Sequence, residues 1–170
     1  MTQPISFEEA VEGLIAGDFS RLAPQFEGDP PVILRWYEEK RFDAEPAALA
    51  EAFSNACFIG QLAVVKYWLA HGLNPSGGIG TGLNAFHWAA NRGQLAVVKL
   101  LIQYRAPLET KNAYGGTVLG STLHAAIHEP KPDHLSIIET LIDAGARLDA
   151  VKFPTGNTTI DELIRRKTAF

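Results

Sequence analysis

The five histidines are the first residues in this 170-residue chain that could do chemistry. His124 and His128 stand four apart, a spacing that puts two imidazoles on one helix face and can bring both to one metal ion. Glu129, Asp133 and His134 follow closely. A zinc site would need a third ligand, which only the proline-containing "HEPKPDH" (His128–His134) could supply. No metal and no cofactor is expected. Nucleophiles are scarcer. There is no G-x-S-x-G, and the single cysteine, Cys57, lies in an apolar helical stretch and reads as an inert buried thiol. "GGIGTG" (Gly77–Gly82) is rich in glycine, but no strand precedes it and no Lys-Ser/Thr follows. It reads as a turn, not a phosphate loop. The paired carboxylates Glu8/Glu9 and Asp161/Glu162 open predicted helices, where they suit the helix dipole. No catalytic residue emerges.

The elements that must position these side chains are repetitive. "GQLAVVK" occurs at Gly60–Lys66 and again at Gly93–Lys99, a period of 33 residues. Each copy opens an amphipathic helix, with Leu62, Val65, Trp68 and Leu69 or Leu95, Val98, Leu101 and Ile102 as its expected core face. A short apolar helix precedes each glycine, which makes the glycine a joint where positive φ is tolerated. Helix pairs this short cannot bury their faces alone and must stack on a neighbour. A third copy ends in "DHLSIIETLIDAGARLDA", with Leu135, Ile138, Leu141 and Ile142 facing the core and Asp133 as N-cap. Its seven surplus residues are divided as three in "HEPKPDH" and four in "YGGTVLGST" (Tyr114–Thr122). At the ends, "SFEE" (Ser6–Glu9) is a capping box and "TIDE" (Thr159–Glu162) starts a last helix closed by Arg165, Arg166 and Lys167. The stretch Gly28–Pro46 fits no copy.

Composition agrees with one globular unit. Hydrophobic residues make up 46% and charged residues 20%, enough to bury a sizeable core. The net charge of −4 argues against a nucleic-acid partner, which usually wants a basic face. The N-terminus "MTQPISFEEA" lacks the apolar core of a signal peptide, and no stretch is long enough for a membrane span. A cytoplasmic monomer is expected.

The pattern resembles the ankyrin repeat. "AFHWAA" (Ala85–Ala90) stands where that family's "TPLHxAA" falls, and "STLHAAI" (Ser121–Ile127) is a second match. "AHGLNP" (Ala70–Pro75) and "DAGARLDA" (Asp143–Ala150) look like its glycine-containing loop, while Phe53-Ser54 departs from the Phe86-His87 pair. The resemblance implies an all-α solenoid of about four helix-turn-helix units. Residues 5–30 would form an N-terminal cap, 31–45 an irregular insert, 46–78, 79–111 and 112–151 the repeats, and 152–170 a C-terminal cap. It also implies that His87 and His124 fill the family's turn-histidine slot, each bonded to the backbone of the preceding turn.

The resemblance further implies a binding module without catalysis, whose protein partner docks on a concave face. Carried over by position, that face comprises Asn55, Phe58, Ile59, Thr81, Leu83, Trp88, Asn91, Arg92, Tyr114, His128 and Glu129. An aromatic cluster in such slots marks a partner surface. The alternative is a small-molecule-binding or enzymatic variant, with a pocket near His87, Trp88, Tyr114, His124 and His128. In that case the segments 31–45 and 117–121 fold over the face.

Overall fold

The computed structural model describes residues 4–77 and 82–169, with nine α-helices and no β-strand among them. Helices α1 (Phe7–Ala16), α3 (Pro46–Ile59), α5 (Ala85–Asn91) and α7 (Val118–His128) stack side by side in one row. Behind them lie α2 (Val32–Glu38), α4 (Leu62–Ala70), α6 (Leu95–Gln103) and α8 (His134–Asp143). Helix α9 (Thr158–Thr168) packs on α8 and closes the stack. The capping box is formed: Glu9 N–H donates to Ser6 Oγ at 3.1 Å, and Ser6 N–H donates to the Glu9 carboxylate at 2.8 Å.

The second helices bury most of the face expected of them, widened by a neighbouring residue and without its first position in α4 and α8. Val64, Val65, Trp68 and Leu69 are buried in α4, and Val97, Val98, Leu100 and Leu101 in α6. Leu62 and Leu135 are 41% exposed, and Leu95 is only half-buried. Leu95 still packs against the core from its half-buried position, so the first position is lost only in α4 and α8. Asp133 takes the N-cap position of α8, but its side chain caps nothing.

Residues 31–45 are an ordered part of the stack. They supply α2, the second helix of the N-terminal unit, followed by a 3-10 turn at Arg41–Ala44. Ile33, Leu34, Trp36 and Phe42 are buried. Phe7 of α1 meets Trp36 and Phe42 edge-on at 5.5 and 5.0 Å, while Tyr37 meets Tyr67 and Trp68 of α4 at 6.2 Å each. Interlocked aromatics of this kind dominate the packing of a small end unit.

The third unit keeps the 33-residue register longer than expected. Thr117 caps α7 by accepting from Gly120 N–H at 3.1 Å, as Asn84 caps α5 by accepting from His87 N–H at 3.0 Å. Thr117, Val118 and Leu119 are buried like Asn84, Ala85 and Phe86. "TVLG" (Thr117–Gly120) therefore fills the family's "TPLH" slot, not "STLH", and Gly120 stands where His87 does. All seven extra residues lie later, in the added turn of α7 and in the loop before His134.

Neighbouring units are tied by a bond that recurs with the period. Gln94, just before α6, donates from Nε2 to the carbonyl of Phe58 at 3.1 Å. His134 occupies the same slot one unit on. Its Nε2 pairs with the carbonyl of Asn91 at 2.9 Å, and its Nδ1 accepts from Lys131 N–H at 3.0 Å. The glycine of each "GQLAVVK" makes room for this: Gly60 and Gly93 both have φ +77°. A Cβ at Gly60 would collide with Gln94, and one at Gly93 would stand 2.9 Å from Lys131 Cβ. The repeated heptapeptide encodes a joint that its neighbour can reach into.

Candidate partner-binding face

The α5 helix and its turns organise the exposed side of the first-helix row. Asn112 Oδ1 accepts from Tyr114 N–H and Gly116 N–H, both at 2.9 Å, which curls the turn. Ala113 N–H donates to Gly82 O at 2.9 Å and joins this turn to the one before it. Tyr114 is left at the tip, 86% exposed. His87 is fully buried beneath, with Nδ1 2.7 Å from Asn84 Oδ1 and Nε2 3.1 Å from Gly116 O. Burial holds its imidazole below the ordinary histidine range, against hydrogen bonding to the Gly116 and Thr110 backbone, which favours the charged ring. The turn-histidine role is thus real for His87, although the bond runs forward to the turn of the next unit.

His124 does not share that role. It falls in the slot of Asn91, exposed on α7, with its ring centre 4.2 Å from that of His128 and the two planes tilted by 43°. Among the described residues no group of three histidine, cysteine or carboxylate side chains is placed to hold a metal ion. Cys57 is buried, and burial pushes its thiol far above the usual range, so it is held as an unreactive thiol.

Two open grooves flank α5. The first, about 390 Å³, is lined by Phe19, Ser54, Asn55, Phe58 and Trp88. Phe58 and Trp88 are half-buried and meet edge-on at 5.0 Å, and the Arg92 guanidinium lies 4.7 Å from the centre of the Phe58 ring. The second, about 580 Å³, is lined by Leu83, Asn91, Asn112, Tyr114, Ser121 and His124. Asn91 and Ser121 hydrogen-bond at 2.8 Å across its floor and fix α5 against α7. Gly120, which stands in the slot that His87 fills one unit earlier, also lines it.

Most residues expected on the concave face are gathered here, but not all. Asn55 is buried even as it lines the first groove, and Ile59 rests partly against the core. His128 and Glu129 are exposed at the end of α7 and line neither groove. Thr81 lies outside the described residues. Neither segment 31–45 nor 117–121 covers the face: the first packs on α1 and α4, and the second begins α7 with Val118 and Leu119 in the core. No single pocket unites His87, Trp88, Tyr114, His124 and His128 among the described residues.

Phe19 and His134 were missed from sequence. Both had a signal: Phe19 follows Gly17, which ends α1 at φ +72° as Gly60 ends α3, and His134 precedes Leu135 as Gln94 precedes Leu95.

A search of curated proteins finds none that matches this chain. A family model described as ankyrin repeats, in three copies, matches residues 53–152, well over half of the chain. Ankyrin repeats generally mediate protein–protein interaction. With its stacked helix pairs, its 33-residue joints and this match, the chain belongs to the ankyrin-repeat family.

Proposed function

We propose that this protein binds a protein partner on the face made by α3, α5 and α7, and performs no chemistry on it. The observation that carries this reading is the half-buried Phe58–Trp88 pair with Arg92 above it, set in a groove that neither segment 31–45 nor segment 117–121 covers. Aromatic and arginine side chains in partly desolvated positions are the usual anchors of an interface. The groups with chemical potential support the same reading: His87 is spent on Asn84 and Gly116, and Cys57 is sealed in the core. A small molecule in the second groove is the other reading, favoured by its volume of about 580 Å³, which suits a ligand.

Capture from an extract of the host with the full chain, beside its Trp88→Ala and Phe58→Ala variants, tests the proposal. Each variant should lose about 1–2 kcal/mol of stability, since the ring pair is half-buried. Partner affinity should fall by roughly 2 kcal/mol or more. A partner retained equally by both variants ends the concave-face reading. A metabolite that raises the melting temperature, with no protein retained, moves the assignment to the second groove.

A further inference from the structure

Charge is unevenly distributed along this chain. The net charge is −4, yet residues 52–108 contain no Asp or Glu and carry Lys66, Arg92, Lys99 and Arg105. Helix α7 (118–128) has no carboxylate either, and the next acid after Glu109 is Glu129. Lys66 and Lys99 are exposed on the second helices, away from the grooves. On the first-helix face the basic groups are Arg92, His124 and His128. Eleven of the acids lie before residue 52; on this face the acid-free stretches are bordered by Glu51, buried in α3, and Glu129, exposed beside His128.

Arg92 is the centre of that property. Among the described residues it takes part in no ion pair. Arg92 is half-buried, and its guanidinium is held over the Phe58 ring at the border of the apolar groove. A carboxylate meeting a cation at such a place gains more than it would on an open surface, and arginine can bind it through two parallel N–H bonds. Asp18, beside the groove residue Phe19, is already engaged by Ser20 N–H at 3.1 Å.

We infer that the partner segment is acidic: it sets a large apolar side chain in the Phe19–Phe58–Trp88 groove and lays carboxylates on Arg92 and along the His124–His128 edge. This inference rests on the concave-face reading above and adds the chemistry of the occupant. Opposite charge and a matching apolar slot together supply both encounter rate and register.

The test is selection of a random-sequence peptide library on the full-length protein, followed by calorimetric titration of the enriched peptides. Enriched sequences should place Asp or Glu close to an aromatic or branched apolar residue. Exchanging those acids for Asn and Gln should weaken binding about tenfold or more, and so should Arg92→Gln or added salt, while Arg92→Lys restores part of it. Enrichment of neutral or basic peptides whose binding still needs Trp88 overturns the acidic inference and leaves the concave-face reading in place. Peptides indifferent to Trp88→Ala, Phe58→Ala and Arg92→Gln alike overturn both. A library that yields no binder also counts against the inference, since a linear acidic segment is what it claims.

Discussion

Replacing His134 is the sharpest probe of how the units hold together. The ring is 2% exposed and bridges two backbone groups, accepting from Lys131 N–H at 3.0 Å and pairing with Asn91 O at 2.9 Å. His134→Leu keeps an apolar body of similar size but leaves both backbone groups without this partner. An orphaned buried group costs about 1–3 kcal/mol, and about 1.5 applies to each here because Lys131 and Asn91 are themselves half-buried. Two such groups, offset by the apolar gain of leucine, should leave a net loss of about 2 kcal/mol. His134→Gln should lose less than about 1 kcal/mol, because an amide in this slot can donate to the preceding unit as Gln94 does. Urea unfolding of the full chain reads both values, and the leucine variant should also melt roughly 4–8 °C lower. If leucine stays within about 0.5 kcal/mol of the parent, or glutamine is as damaging as leucine, the bridge does not carry the inter-unit energy assigned to it.

The other expectations concern the joint and the buried turn histidine. Gly60→Ala should destabilise by about 2–3 kcal/mol, from the positive φ and from displacing Gln94 off the Phe58 carbonyl. A double-mutant cycle with Gln94→Ala should therefore be clearly non-additive, and additivity would show that Gly60 acts through its backbone alone. Because burial lowers the folded-state pKa of His87, the unfolded chain takes up that proton first. Its contribution to stability is present above about pH 6.5 and is lost as pH falls below it. The urea midpoint followed downward from about pH 7 should fall more steeply in the parent than in His87→Gln, and parallel curves would refute the assignment.

The fold class and most of the stack were legible in the sequence because the signals are local and repeated. A glycine joint between two short amphipathic helices recurs at 33 residues, and neither helix can bury its face without a neighbour. The family resemblance named Phe58 and Trp88 by position, in different slots of successive units, but only the structure shows their rings meeting at 5.0 Å. What local pattern could not decide was any choice between two plausible registers. "STLH" reads like the family motif, but only packing against α5 shows that Val118 and Leu119 are the buried pair, which leaves His124 outside. The segment 31–45 has no period to read, and its helix is held by Phe7, Tyr67 and Trp68, residues remote in sequence. Whether that segment covered the first-helix face was likewise a question of which aromatic surface it met. Sequence determined that units repeat and stack. Tertiary contact alone decided where the third unit begins, which histidines are buried, and that segment 31–45 packs on α1 and α4, away from the groove beside Trp88.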